Sequence, residues 1–177
     1  MTGYDFSQLS VLVVDDQLPM RTLLGNILRT FGFSEILFAT SGSGAVDQLA
    51  ERAVDIVITD EHMQPMSGVE LTRLVRVGHR GINPFMPIIM ISADTEMALI
   101  RAARDAGVTE FLAKPVSAER VFCRLRAVVE NPRPFVRTAT FFGPDRRRRR
   151  IPCPSGDRRT LPYSYDGSRE RERERVN

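Results

Sequence analysis

Through residue 130 the chain alternates short, continuous apolar runs with longer stretches in which apolar residues recur every three or four positions. The runs are Val11 to Val14, Ile36 to Ala39, Ile56 to Ile58, Ile88 to Ile91 and Val108 to Leu112, rich in β-branched residues and bounded by polar ones. Between the first two, Met20, Leu23, Leu24, Ile27, Leu28 and Phe31 have the spacing of one helix face. Continuous runs imply strands covered on both sides, and their alternation with helices implies a parallel sheet, because parallel neighbours need a crossover. Right-handed crossovers then predict an α/β, doubly wound five-stranded parallel sheet with five helices. The pattern stops at Asn131-Pro132-Arg133-Pro134, which breaks the last helix. Residues 131–177 show neither period and are expected to form a largely disordered tail without a second core. The predicted division is 1–130 and 131–177.

Charge sharpens that division. Residues 1–130 hold 12 of the 25 Lys+Arg and 16 of the 22 Asp+Glu, a balance of −4, which leaves 13 basic and 6 acidic residues in 131–177, a balance of +7. All 13 tail cations are arginine. An acidic body with a basic tail points to an anionic partner for the tail, and arginine in preference to lysine points to planar, bidentate recognition. Cys123 and Cys153 have no metal-like spacing and read as thiols of a reducing compartment. The N-terminus lacks a basic region followed by an apolar core, and no apolar run approaches ~18 residues. The expected location is cytoplasmic, with no membrane insertion.

In a doubly wound sheet, ligands sit beyond the carboxyl ends of the strands. Asp15 and Asp16 follow the first run, Asp60 ends the third, Ser92 ends the fourth, and Lys114-Pro115 lies just past the fifth. Three carboxylates converging on one crevice repel unless a hard cation joins them, so a Mg²⁺ site is expected there. A lysine and a hydroxyl close by can neutralise and hydrogen-bond a phosphoryl oxygen carried on Asp60.

With these residues in place, residues 8–130 resemble the receiver domain of bacterial response regulators, in particular the single-domain, CheY-like chemotaxis type. The likeness rests on Val13-Val14-Asp15-Asp16, on Asp60 with Met63 and with Gly68 eight residues on, on Ile91-Ser92-Ala93, and on Lys114-Pro115. It implies a flavodoxin-like strand order 2-1-3-4-5, with Asp60 as phosphoacceptor and Asp15, Asp16, Asp60 and the His62 backbone carbonyl as the magnesium shell. It further implies Lys114 as the phosphoryl-sensing cation, a cis Lys114-Pro115 bond, and a histidine kinase as phosphoryl donor. Two positions depart from the family pattern. Gln64 stands where proline is usual, with Pro65 after it, which reshapes the loop over the metal; Phe111 stands where tyrosine is common, without its hydroxyl.

The tail carries a duplicated Asp-Arg-Arg, at Asp145-Arg146-Arg147 and Asp157-Arg158-Arg159, twelve residues apart and each preceded by glycine, Gly143 and Gly156. A carboxylate can accept from the N1–H and N2–H of guanine, one guanidinium can donate to O6 and N7, and a second can hold a phosphate. Glycine lets the backbone approach a planar ligand, and Pro144 and Pro154 reduce the entropy lost on ordering. Two copies match the two guanines and two phosphates of cyclic di-GMP, with Arg148, Arg149 and Arg150 left for further phosphates or a second stacked molecule. The segment also resembles the arginine-rich C-terminal extension of an alphaproteobacterial CheY-like clade. That resemblance implies a cyclic di-GMP effector acting on a flagellar motor switch protein.

Phe135, Val136, Phe141 and Phe142 are expected either to dock on the receiver or to offer rings for base stacking, and the alternating Arg and Glu of 169–175 are expected to be a solvated end. No helix-turn-helix, cyclase or kinase motif is present, so the expected output is binding, not enzymatic activity. Two other readings stand beside the effector: a conventional phosphorylation-dependent regulator, and a receiver with a nucleic-acid-binding arm. The arm is disfavoured, since an Asp at the head of both copies weakens plain attraction to phosphate.

Overall fold

The computed structural model describes residues 5–146 and the backbone of 160–163. Five parallel strands, β1 (Ser10–Val14), β2 (Glu35–Ala39), β3 (Ile56–Asp60), β4 (Ile88–Ser92) and β5 (Glu110–Ala113), form one sheet in the order β2-β1-β3-β4-β5. The helices are α1 (Leu18–Thr30), α2 (Gly42–Glu51), α3 (Gly68–Arg76), α4 (Met97–Ala106) and α5 (Ala118–Glu130). No helix among the described residues is long and apolar enough to cross a membrane.

Successive residues of the central strands feed opposite cores. Val11, Val13, Ile56, Ile58, Ile89 and Ile91 pack with Leu24 and Leu28 of α1 and Val121 and Leu125 of α5. Leu12, Val14, Val57 and Ile88 pack with Val46 and Leu49 of α2 and Leu71 and Val75 of α3. A third cluster, Val69, Met90, Ala103, Ala106 and Val108 with Phe111, lies under α4, so Phe111 is a packing residue. The register aligns the carboxyl ends: Val14 with Thr59, Asp60 with Ile91, Ser92 with Ala113. The strand expected from Val108 starts at Glu110, because Gly107 (φ 99°) terminates α4 and the amide of Val108 donates to Ala103 O at 3.0 Å as part of that cap.

Past residue 130 the described part of the tail adds a small sheet that the sequence pattern did not predict, without a core cluster of its own among the described residues. β6 (Phe135–Arg137), β7 (Phe142–Pro144) and β8 (Thr160–Tyr163) form a small antiparallel sheet in the order β7-β6-β8. Its strands are too short to show a period-two pattern in sequence. Aromatic packing holds it: Phe135 and Phe142 each lie 5.2 Å from the ring of Phe85, in the α3–β4 connection, and 5.6 Å from one another. Phe135, Val136 and Phe141 are buried, which settles their role as docking. Arg133 ties this strap, residues 131–146, to the body by donating from Nη1 to Thr109 O at 2.8 Å, and braces it internally by donating from Nε to Asp145 O at 3.1 Å.

Candidate functional site

Asp60 closes β3 with its carboxylate buried at the carboxyl edge of the sheet. Its Oδ2 accepts from the His62 amide at 3.0 Å, and its Oδ1 faces Lys114 Nζ at 2.7 Å. That ion pair is not aligned as a hydrogen bond, so Oδ1 is a buried acceptor without a hydrogen-bond partner. Lys114 is brought there by the end of β5, where its amide donates to Ser92 O at 2.8 Å and the Lys114-Pro115 bond is cis, as the resemblance implies. The Gln64-Pro65 bond is cis as well.

Asp15, just past β1, is buried, and its Oδ1 accepts from the Gln17 amide at 2.8 Å. Burial holds its carboxyl above the ordinary carboxylate value, opposed by the Gln17 amide and reinforced by the charge of Asp60. Arg21 of α1 donates to Asp15 O at 2.7 Å, fixing the β1–α1 turn. Ser92 is fully buried at the end of β4, and its Oγ accepts from the Asp94 amide at 3.1 Å. Asp16 and the His62 side chain are exposed. Of the three carboxylates expected there, Asp15 and Asp60 are buried and Asp16 is exposed, and both Asp60 and Asp16 lie close enough to act on the charge of Asp15; among the described residues no group of three His, Cys, Asp or Glu side chains forms a ready metal-holding set. Mg²⁺ fits such a set, because it keeps several waters and needs only one or two carboxylates, and Asp60 Oδ1, though ion-paired with Lys114, accepts no hydrogen bond.

Glu61 is a functional neighbour that sequence reading passed over. Its Oε2 accepts from the Val69 amide at 2.8 Å and its carbonyl accepts from the Gly68 amide at 3.1 Å, so it locks the start of α3 against the phosphoacceptor loop. A buried acid in a Thr-Asp-Glu-His run carries no signal that separates it from a solvated one. Burial raises its carboxyl, with the Val69 amide acting the other way.

The tail residues fall differently. Gly143 lies in β7, where a Cβ would sit 3.0 Å from Gly107 Cα and 2.9 Å from the Phe141 ring. Its missing side chain thus serves contact with the body in this structure. Asp145 donates its amide to Pro134 O at 2.8 Å, and Arg146 Nη1 lies 3.1 Å from Asp105 Oδ1 of α4. Arg147, Arg148, Arg149, Arg150, Gly156, Asp157, Arg158, Arg159, Cys153 and residues 169–175 lie outside the described residues.

This fold, with an acid at the end of β3 and a lysine after β5, defines a class. The family described as the response regulator receiver domain matches residues 11–126, and the chain belongs to it. Among curated relatives, the chemotaxis protein CheY of Pseudomonas aeruginosa is 31% identical over 122 residues, which is 69% of this chain and 97% of that protein. Among solved structures, CheY4 of Vibrio cholerae, crystallised at low pH, is 28% identical with a TM-score of 0.63, covering 68% of this chain and 98% of its own. The CheX–CheY complex with BeF3 and magnesium from Borrelia burgdorferi is 26% identical with a TM-score of 0.64, covering 72% of this chain and 96% of its own.

Proposed function

We propose that the chain is a two-component signalling receiver in which Asp60 accepts a phosphoryl group from the phosphohistidine of a kinase. One observation carries this: a buried carboxylate at the mouth of the sheet with one oxygen held by the His62 amide and the other turned to Lys114. An Asp60 oxygen forms the new bond to phosphorus as the bond to imidazole nitrogen breaks, and the leaving imidazole takes a proton. Asp15, Asp16, Asp60 and the His62 carbonyl would hold Mg²⁺, which supplies neutralisation of charge on the transferred group. Lys114 and the Ser92 hydroxyl hold the phosphoryl oxygens once they are attached to Asp60. The test is acetyl phosphate with magnesium: the full chain gains one phosphoryl group by intact mass, and Asp60→Asn gains none. Uptake by Asp60→Asn equal to wild type would refute the assignment.

A second role is favoured by the duplicated motif. The arginine-rich segment around 143–159 binds cyclic di-GMP and thereby changes the affinity of the chain for a flagellar motor switch protein. The pairing of β7 and β8 on either side of β6 supports this, because it fastens both ends of the connection that carries the two copies. Calorimetry on the full chain decides it, with pyrophosphate as the polyanion control. Each lost charge-assisted hydrogen bond costs about 1.5–3 kcal/mol, so Asp145→Ala and Asp157→Ala should each weaken the dinucleotide roughly ten- to a hundredfold while Asp60→Asn does not. Equal affinity for pyrophosphate and the dinucleotide leaves a conventional receiver with a polyanion-binding tail.

A further inference from the structure

The last turn of α4 places Asp105 at the negative end of a helix, where a carboxylate is unfavourable unless a cation answers it. Two do so. Arg104 Nε lies 3.2 Å from Asp105 Oδ1, and Arg146 Nη1 reaches the same oxygen at 3.1 Å from the tail. The Arg146 guanidinium also sits 3.8 Å over the centre of the Phe141 ring, so it is held from both sides while its side chain stays partly exposed.

The rest of the strap does not depend on this contact. Arg76 of α3, almost wholly buried, donates to Gly107 O at 3.0 Å and to Pro84 O and Met86 O at 2.8 Å, and its guanidinium lies 5.1 Å from the Phe135 ring. Phe135, Arg133 and Arg76 thus anchor β6 whatever Arg146 does.

We propose that Asp105 is a built-in competitor for Arg146, so that an anionic ligand on the arginine-rich segment and the C-terminus of α4 contend for one guanidinium. This rests on the reading of that segment as a cyclic di-GMP site, and it names how occupancy there reaches the receiver. Binding of the ligand to Arg146 releases Asp105 and loosens the last turn of α4; by linkage, whatever holds α4 in its present place weakens the ligand by the same factor.

The experiment is titration of full-length wild type, Asp105→Asn, Arg146→Ala and the double variant with cyclic di-GMP and, separately, with inorganic pyrophosphate. Hydrogen exchange is followed at the amides of Gly107 and Val108, which close α4 onto Arg104 O and Ala103 O. Asp105→Asn should bind about two- to fivefold more tightly, as expected for release of a partly exposed ion pair, and should gain nothing in the Arg146→Ala background. Ligand should speed exchange at those two amides in wild type and leave it unchanged in Asp105→Asn. Unaltered or weaker binding by Asp105→Asn, or no change at α4 in ligand-bound wild type, overturns the proposal. If cyclic di-GMP binds no variant, the dinucleotide reading fails by itself, and the pyrophosphate arm still decides the competition.

Discussion

Gly68→Ala is a sharp test of how the phosphoacceptor loop is built. A Cβ on Gly68 would stand 2.4 Å from the carbonyl oxygen of Asp60, 3.2 Å from its carbon and 3.1 Å from Glu61 Oε2. A carbon-to-oxygen contact settles near 3.3 Å, so about 0.9 Å must be found. The strand side cannot give it: Asp60 is paired with Ile91, Glu61 N donates to Ile91 O at 3.0 Å, and Thr59 Oγ1 donates to Asp60 O at 2.9 Å. The start of α3 must move instead, away from the Glu61 carbonyl and carboxylate that hold the Gly68 and Val69 amides. Overpacking costs about 1–3 kcal/mol, and a weakened bond to a carboxylate about 1.5–3 kcal/mol. Alanine's better helix propensity returns only about 0.5–1 kcal/mol. The net loss is about 2–5 kcal/mol, or roughly 5–15 °C in Tm for a chain of this size. Urea and thermal unfolding of Gly68→Ala should show it, together with slower phosphoryl uptake by Asp60. Gly44→Ala is the control, because a Cβ there meets only Ser41 Oγ at 3.4 Å and should stabilise by about 0.4–1 kcal/mol. Wild-type stability and phosphorylation in Gly68→Ala would refute the steric argument.

Asp15 gives a pH signature. Its folded-state pKa lies above the ordinary value, so the folded chain retains the extra proton and stability falls as pH rises from the unfolded value through the folded one. In metal-free buffer Asp15→Asn should therefore be more stable than wild type at pH 7, with the gain vanishing below about pH 3; a difference independent of pH counts against it. Phe135→Ala removes the ring between Phe85, Phe142 and Arg76 and should cost the strap about 3–5 kcal/mol, seen as faster exchange of the Thr138 and Asp145 amides with Asp60 phosphorylation unchanged. Thr109→Val leaves the buried Ile88 amide without its 3.0 Å acceptor and should destabilise the chain by about 1–3 kcal/mol in urea unfolding.

Much of the receiver was legible because its signals are long and redundant. Runs such as Ile88 to Ile91 are apolar on both faces, and that doubling led to a covered parallel sheet. Asp15, Asp60, Ser92 and Lys114 were legible because each stands where a run ends. Side chains whose role comes from distant neighbours were not legible. Arg76 looks like the polar end of an amphipathic helix, yet it is buried among three carbonyls, its Nη2 has no hydrogen-bond partner, and burial lowers its pKa to about 9. The strap was hidden for the same reason. Phe135-Val136-Arg137 has no pattern of its own and becomes a strand only because Phe85 and Arg76 offer it a seat.

Arg133 and Gly143 meet the body beside the amino end of β5, at Thr109 and Gly107, and Arg76, which lies against Phe135, bonds Met86 just before β4, whereas Asp60 stands at the carboxyl edge. The five residues of β4 separate the two edges by about 13 Å. That exceeds the roughly 8 Å over which salt water lets one exposed charge feel another. An exposed anion at the strap edge would therefore be largely screened from exposed charges at the other edge. On the reading proposed above, the phosphoacceptor and the arginine-rich segment would be loaded from opposite edges of the sheet, giving four occupancy states and a response to the coincidence of two inputs.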